Sequence, residues 1–529
     1  MDNQTFDWYG ILSDLKFGKN AMAGPLKAGR FNTVLQHYGV PSNNPFGTLT
    51  DYLLYGAAAL LSRQPADTDK ALGYQTQLND KTKAVSLFYW AQQALEHGQV
   101  VLAIKLLAPL ADENTKDPEI CLQLATCYRT GHNLINGWPY IKSGLTHNPT
   151  HAGLLTLSAQ YHFNDGNLVE AASIANALLA ANPDNQVAFN ILSMAKPDDI
   201  DNTRLDHFKA LANRPITSGL SAAGINYDIG RVLDKRGEYA AAFASFENAN
   251  FLVLENLPAN NPGYDAALDM SDFTISRDLL AQLSPIPYAG SAAPVFIVGV
   301  PRSGSTLVEQ MLVSYPKAYS YGENFLIPNI AAEAEALIEK GNLSAAQSKM
   351  QEWQERYLSS ALSNIPDAAV IIDKTLGNTR YIGFIKKLFP NAKFILMQRG
   401  ALDNALSIYF SPLGINNLYA ADIPAIAAFM GTEQKINTHW LAADLDVSSL
   451  QYEDLVVSPE ETVKQLLQQL GLAWDDAVMQ YHNNKRSVHT YSAHQVRQPV
   501  YSTSKKRWQN YADNIGPLKK ALEEHGFNG

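Results

Sequence analysis

The pattern of apolar and polar positions changes character once along this chain, near residue 285. Upstream, from about Ser86, apolar residues recur at helical spacing. Glycines punctuate them at Gly98, Gly131, Gly166 and Gly237, with intervals of 33, 35 and 71 residues. The last interval is close to twice the others and implies one degenerate unit near residue 200. Prolines at Pro118, Pro149 and Pro183 close the units. Downstream the period shortens. Apolar runs at 295–298, 370–372, 394–397 and 449–451 read as strands, and helical stretches at 331–362, 379–388 and 460–469 separate them. Such alternation predicts a parallel sheet covered on both faces, with chemistry at the carboxyl ends of its strands. Between the two regimes, residues 284–293 hold Pro285, Pro287, Gly290 and small side chains, the expected boundary.

Helix–turn–helix units with a period near 34 carry the tetratricopeptide signature. In the clearest unit Tyr227 leads to Gly237-Glu238-Tyr239, Ala242 and Phe246; Gly166 likewise leads to Ala171 and Ala172, and Gly98 to Ala103. Small residues there let paired helices approach closely, and most of the Ala and Leu positions read as core. The expected fold is therefore α + α/β. A helical solenoid of tetratricopeptide type over 1–285, clearest at 86–250, precedes a P-loop-like three-layer α/β domain over 294–529. A solenoid groove is a candidate binding surface for a protein partner. Residues 1–80 also read as mainly helical, with breaks at Pro25, Pro41 and Pro45.

Composition removes several function classes. At 529 residues, 46% hydrophobic and 17% charged, the chain is ordinary for a soluble protein of two or more domains. A net charge of −10 argues against general nucleic-acid binding, yet leaves room for a local basic pocket. The N-terminus lacks the basic start and apolar run of a secretory signal, and nowhere are 18 apolar residues consecutive. No membrane span and a cytoplasmic location are the expectations. Cys121 and Cys127, six apart, are expected as buried thiols rather than a bridge or a zinc site.

Candidate chemistry gathers where the first strand ends. Val295-Phe296-Ile297-Val298 runs into Gly299-Val300-Pro301-Arg302-Ser303-Gly304-Ser305-Thr306-Leu307. In this strand–loop–helix layout, backbone N–H groups and a helix N-terminus can converge on an anion. Gly299 and Gly304 are spaced as in a nucleotide P-loop, but Ser305 stands where the lysine for β- and γ-phosphates belongs. A loop holding Arg302 and no terminal lysine suits a nucleotide with a single 5′-phosphate carrying a transferable group. The run Pro301-Arg302-Ser303-Gly304-Ser305-Thr306-Leu307 resembles the 5′-phosphosulfate loop of sulfotransferases, whose donor is 3′-phosphoadenosine-5′-phosphosulfate (PAPS). The likeness is to tyrosylprotein sulfotransferases and to bacterial sulfotransferases fused to tetratricopeptide repeats.

Further blocks of the resemblance follow in order over roughly 294–510. Arg399 and Ser407, eight apart, can hold a phosphate as a charge-assisted fork and a hydroxyl donor. The resemblance implies the 3′-phosphate, with Gly400 where Asp is usual. It also implies Glu323, in Tyr321-Gly322-Glu323, as the base that takes the acceptor proton. Lys374 is implied to neutralise charge on the leaving phosphate. Tyr452 is expected to line the nucleotide pocket, Ser492 to contact the sulfuryl end, and Arg507 to contact phosphate. Asn324-Phe325-Leu326-Ile327-Pro328-Asn329 has none of the arginines that hold acidic peptide in tyrosylprotein sulfotransferases, so acidic peptides are expected to bind poorly.

Together these expectations describe a sulfotransferase acting by in-line displacement and releasing adenosine 3′,5′-bisphosphate, with no metal required. Arg302, Ser303, Gly304, Ser305, Thr306 and Leu307 form the loop; Glu323, Lys374, Arg302 and Ser492 are the catalytic candidates. The acceptor hydroxyl is open between carbohydrate, lipid, small phenol and peptide. A P-loop kinase or NTPase is the second class, disfavoured by Ser305; a non-catalytic repeat scaffold with a degraded enzyme domain is the third.

Overall fold

A computed structural model describes residues 12, 21–28, 30–38, 49–62, 71, 79–111, 117–131, 134–215, 217–257, 263–290, 292–413, 417–443, 445–484, 496 and 506–527. The chain forms two compact units, Met1–Ile191 and Leu192–Gly529.

Among its described residues the first unit is helical. Helices Asp80–Glu96, Val100–Leu107, Pro118–Thr130, Leu134–His147, Ala152–Asn164 and Leu168–Ala181 follow one another through short turns. Side-chain caps start several of them. Asn79 accepts from the Thr82 N–H, Asp117 from those of Glu119 and Ile120, and Asn167 from that of Glu170. First helices of successive pairs begin at Asp80, Pro118, Ala152, Gln186 and Gly219, that is 38, 34, 34 and 33 residues apart. Ala103, Ala171, Ala172 and Ala242 are all buried where helices meet. The turn near residue 200 lacks a glycine because Pro197-Asp198-Asp199 makes a 3-10 turn there instead. Cys121 and Cys127 are free and buried, and burial pushes their thiols up to about 11 and about 12.

The second unit opens in helix Gln186–Ala195 and continues through Asn202–Ala212, Gly219–Lys235, Tyr239–Glu255 and Ala266–Ala281 to the sheet. Strands β1 (Ala293–Gly299), β2 (Ala318–Ser320), β3 (Val370–Asp373), β4 (Lys393–Gln398) and β5 (Val447–Gln451) lie in the order β2-β3-β1-β4-β5. All four pairings are parallel. Alternation along the strands separates two cores. Phe296, Val298, Ile371, Phe394 and Leu396 face Ile327, Ile330, Trp353, Tyr357, Ile436 and Trp440. Val295, Ile297, Val370, Ile372, Ile395 and Met397 face Val308, Leu312, Val463 and Leu467. The unit is thus three-layered, and β1 is central because both its faces are apolar. Chain order reverses about β1, which puts the crevice for a ligand at its carboxyl end.

Two expectations differ in detail. The stretch 331–362 is three helices, Leu326–Glu339, Leu343–Ser348 and Met350–Asn364, interrupted at Lys340-Gly341. The stretch 379–388 opens as the 3-10 turn Leu376–Tyr381 before helix Ile382–Leu388. Strand β2 went unread because three residues are too few to show a period.

The change from helix to strand falls at 284–293, but the edge of the compact unit lies upstream of it. Helices Gly219–Lys235 and Tyr239–Glu255 are built into the sheet-bearing unit. Asp234 accepts from the Arg507 guanidinium and the Tyr511 hydroxyl, Asn250 Nδ2 donates to the Tyr409 carbonyl at 2.9 Å, and Phe246 stacks on Phe410 at 4.0 Å. Helix Ala266–Ala281 is tied in by Asp269, which receives both bonds of an Arg380 fork at 2.8 Å. A fragment of residues 192–529 should therefore unfold in one cooperative thermal transition. A fragment of 286–529, which lacks these partners, should show none. Calorimetric scans of the two fragments make the comparison.

Candidate functional site

Every described candidate lies in the second unit, and all but Arg507 gather past the carboxyl ends of the five strands. The loop after β1 is forced by close approach. A Cβ on Gly299 would stand 2.7 Å from the Met397 carbonyl oxygen, and one on Gly304 would stand 2.4 Å from Tyr452 Cδ2. Their φ angles are 128° and 97°, and Arg302 between them is itself left-handed at 67°. A non-glycine residue held there stores strain, a mark of a functional turn. Helix Ser305–Val313 starts at Gly304 with no side-chain cap, which leaves first-turn N–H groups for an anion. Ser303 Oγ is buried and makes no hydrogen bond among the described residues.

Arg302 is the meeting point of the loop with β4 and the helix after it. Its Nε donates to Ser407 Oγ at 3.2 Å, and its carbonyl accepts from Arg399 Nη1 at 2.9 Å. Arg399 also lies over the Tyr452 ring, 4.8 Å from its centre. Arg302, Arg399, Ser407 and Tyr452, spread over 151 residues of sequence, thus share one cluster. Gly400, where the resemblance led to Asp, gives its N–H to Glu453 Oε1 at 3.0 Å, so the turn keeps a carboxylate partner from β5's far end. Asn404 Nδ2 holds the Pro301 carbonyl at 2.7 Å.

The second cluster sits at the ends of β2 and β3. Backbone bonds carry the pairing past the strands: the Tyr321 N–H donates to the Ile372 carbonyl at 2.9 Å and the Lys374 N–H to the Gly322 carbonyl at 3.0 Å. Thr375 Oγ1 both accepts from the Asn324 N–H and donates to the Asn324 carbonyl, each at 3.0 Å. These bonds set Lys374 beside Glu323, and their side chains form an ion pair. Lys374 is 1% exposed and Glu323 60% exposed, so the ammonium is fixed and the carboxylate is open to solvent. Lys374 does not pair with its neighbour Asp373, which points the other way. Asp373 accepts from Thr375 N at 3.0 Å, Asn378 Nδ2 at 3.2 Å and the Tyr357 hydroxyl at 3.3 Å.

Two residues stand apart from the expectations. Arg507 was assigned to phosphate, but its guanidinium is engaged by Asp234 of helix Gly219–Lys235. The run around it is nevertheless fastened to the site: Asp403, on the helix that carries Ser407, accepts from Lys506 N at 2.6 Å and Trp508 N at 3.0 Å. Ser492 lies outside the described residues. Sequence reasoning missed Glu309, Asp373, Asp403 and Asp234. The available signal for Glu309 was the polar pair Glu309-Gln310 inside an otherwise apolar helix, Leu307-Val308 before it and Met311-Leu312 after.

The loop, the lysine and the second arginine are groups that can hold an anion. Residues 294–476 match the sulfotransferase family. The chain is 28% identical over 210 residues to protein-tyrosine sulfotransferase 1 of Danio rerio, covering 37% of this chain and 58% of that protein. An uncharacterized protein of Aquifex aeolicus (strain VF5) is 30% identical over 400 residues, covering 72% of this chain and 51% of that protein. The chain therefore spans about half the length of these relatives. Among solved structures, the sulfotransferase domain from the Synechococcus PCC 7002 olefin synthase is 22% identical with a TM-score of 0.34, covering 46% of this chain and 96% of that one. At that TM-score the likeness decides nothing. The matched segment runs from within β1 to just past helix Pro459–Leu470, so it takes in both clusters.

Among the described residues, no helix is long and apolar enough to cross a membrane. Burial raises the Asp373 carboxyl from 3.8 to about 6, against hydrogen bonds that lower it. A carboxyl raised on folding holds its proton more tightly in the native state. Its contribution is therefore most favourable below the unfolded value and is lost as pH rises through about 6. Asp373→Asn removes this ionisation. In urea unfolding, the variant should gain stability relative to wild type between pH 4 and pH 7, by an amount absent at the acid end.

Proposed function

We propose that this protein is a PAPS-dependent sulfotransferase that moves a sulfuryl group to an acceptor hydroxyl by in-line displacement. The observation that carries the reading is the pair Lys374–Glu323, set beside an anion loop whose own lysine position is Ser305. The residues present fit such a donor. Ser303 Oγ is a buried hydroxyl in the loop with no partner among the described residues, and Gly304 lets the Tyr452 ring pack against the loop backbone. When bound, the donor supplies a sulfuryl group already activated by its anhydride link to phosphate.

Each protein group then has a stated task. Arg302, the first-turn N–H groups and the hydroxyls of Ser305 and Thr306 hold the 5′-phosphosulfate. Arg399 and Ser407 read the 3′-phosphate, and Tyr452 backs the loop through Gly304. Glu323 takes the proton of the acceptor hydroxyl, for which its exposure suits it. Lys374 steadies the negative charge that develops on the leaving phosphate, a task for a point charge in a dry site. Ser492 is assigned to the sulfuryl end on the resemblance alone. Phe325, two residues past Glu323 and 77% exposed, gives the acceptor approach an apolar flank in place of arginines. This favours an acceptor with an apolar body over an acidic peptide. The helical pairs, spaced near 34 residues, are read as tetratricopeptide units that present a protein segment or a large acceptor. Free, buried Cys121 and Cys127 fit a reducing compartment such as the cytoplasm.

Adenosine 3′,5′-bisphosphate should bind far more tightly than adenosine 5′-monophosphate. A charge-assisted hydrogen bond is worth about 1.5–3 kcal/mol, or roughly 10- to 150-fold in affinity. Titration calorimetry of both nucleotides on wild type and Arg399→Ala measures it. Equal affinities in wild type would remove the 3′-phosphate assignment.

Glu323→Gln keeps the shape but cannot accept a proton. Turnover from ³⁵S-labelled donor should drop by about 10²- to 10⁴-fold, the usual worth of a general base. Donor affinity should stay or tighten, because Lys374 loses a competing carboxylate. Near-wild-type turnover would place the base elsewhere.

A further inference from the structure

Lys374 faces a second carboxylate that the assignment above does not use. Glu309 lies on the helix that begins the anion loop, Ser305–Val313, and its Oε2 stands 3.9 Å from Lys374 Nζ. Its other oxygen, Oε1, accepts a hydrogen bond from Ser320 Oγ at 2.7 Å, and Ser320 Oγ in turn accepts from the Gly322 N–H at 3.0 Å. The Glu309 side chain is 4% exposed, against 60% for Glu323. One partner of Lys374 is therefore pinned inside the protein while the other can move.

This asymmetry matters because of what Glu323 has to do. A base must leave the ammonium to reach the acceptor hydroxyl, and an ammonium buried to 1% exposure is costly without a carboxylate beside it. We infer that Glu309 is a positioning residue: it is the permanent counter-charge that keeps Lys374 charged and aimed when Glu323 turns to the acceptor. Glu309 touches neither donor nor acceptor and acts only through Lys374. It also binds the anion loop to the base segment. The loop's helix supplies the carboxylate, Ser320 links it to Gly322, and Gly322 precedes Glu323. This inference rests on the sulfotransfer reading for its catalytic half alone; the Glu309–Lys374 contact stands apart from that reading.

The test is a double-mutant cycle on the full chain with Glu309→Gln, Lys374→Met and the pair. Two readouts are taken: turnover of ³⁵S-labelled donor, and unfolding in urea. Glu309→Gln should lower kcat about 10- to 100-fold with the donor KM within about threefold, and should cost nothing further once Lys374 is Met. Glu309→Asp, which keeps the charge, should recover part of the loss. In urea, Lys374→Met should be less stable than the double variant, because the single change leaves Glu309 buried without its cation. Should Glu309→Gln fail to fold, Ser320→Ala takes its place: it loosens the carboxylate without removing it, and its smaller loss of kcat should likewise vanish in the Lys374→Met background. Equal costs in both backgrounds, for kcat and for stability, would mean that Glu309 is structural and would overturn the inference. A wild type that transfers no sulfate, yet shows the coupling in urea, would instead sink the sulfotransfer reading and leave the Glu309–Lys374 pair in place.

Discussion

Burying the Lys374 ammonium is the constraint that organises this site. A primary amine at 1% exposure is tolerable only with acidic partners, and two consecutive elements well upstream of it in sequence supply them. Glu309 comes from the helix after β1 and Glu323 from the turn after β2. Neither could reach the amine unless β3 lay between β1 and β2, which is the observed strand order. Hydrogen bonds then fix the approach. The Tyr321, Lys374 and Asn324 N–H groups extend the β2–β3 contact past the strands as far as Asn324 and Thr375, with the Thr375 hydroxyl closing the ladder. Parallel pairing of a three-residue strand would be weak alone; here the charge pair and the ladder support one another.

Placing the cation on β3 instead of in the loop separates two jobs that a nucleotide P-loop combines. A loop lysine follows the phosphate it binds, because backbone and ammonium move together. Ser305 leaves the anion loop with N–H groups, hydroxyls and Arg302, while the point charge is delivered from the neighbouring strand. On the proposed reading, the loop grips one phosphate while the ammonium stands by the bond to be broken. Such an arrangement requires its own supports, and Asp373 is one of them. Its carboxylate gathers Thr375, Asn378 and Tyr357 beneath the residue next door, holding the backbone that carries Lys374. Keeping a carboxylate in so dry a place raises its pKa to about 6, a local cost accepted for the geometry it enforces.

What the sequence disclosed and what it hid follow one physical division. Strands β1, β3 and β4 were legible because each holds an apolar run in a sheet covered on both faces; β5, an edge strand with Ser448, Ser449 and Gln451, carries only part of such a run. Loop residues 299–307 were legible because close backbone approach to Met397 and Tyr452 demands glycine at fixed places. Lys374, Arg399, Ser407 and Tyr452 could be nominated because they follow strand ends in an order that resembles sulfotransferases, and Glu323, which follows the unread β2, rested on the resemblance. Hidden were the residues whose meaning depends on a distant partner. Arg507 is expected at phosphate from the resemblance, and only the fold shows that Asp234, 273 positions upstream, holds it. Glu309 and Asp403 looked like ordinary helix carboxylates. Neither local propensity nor period distinguishes a solvated carboxylate from one that receives two backbone N–H groups of a remote segment.

The same division explains why the helical and sheet-bearing parts do not part at the proline-rich boundary. Composition marks where the backbone changes from helix to strand; it does not mark where side chains stop interlocking. Phe246 and Phe410 stack with ring centres 4.0 Å apart, a contact worth about 0.5–1.5 kcal/mol beyond the area it buries. Asn250 bridges Tyr227 of its own hairpin to the Tyr409 carbonyl across the interface. Tyr409 and Phe410 end the very helix, Ala401–Tyr409, whose Ser407 meets Arg302 and whose Asp403 secures residues 506–508. Any displacement of helices Gly219–Lys235 and Tyr239–Glu255 is therefore transmitted to the side of the anion site that carries Ser407. A hairpin used this way braces the helix that carries Ser407, and it belongs to helices that the sequence pattern alone assigns to another domain.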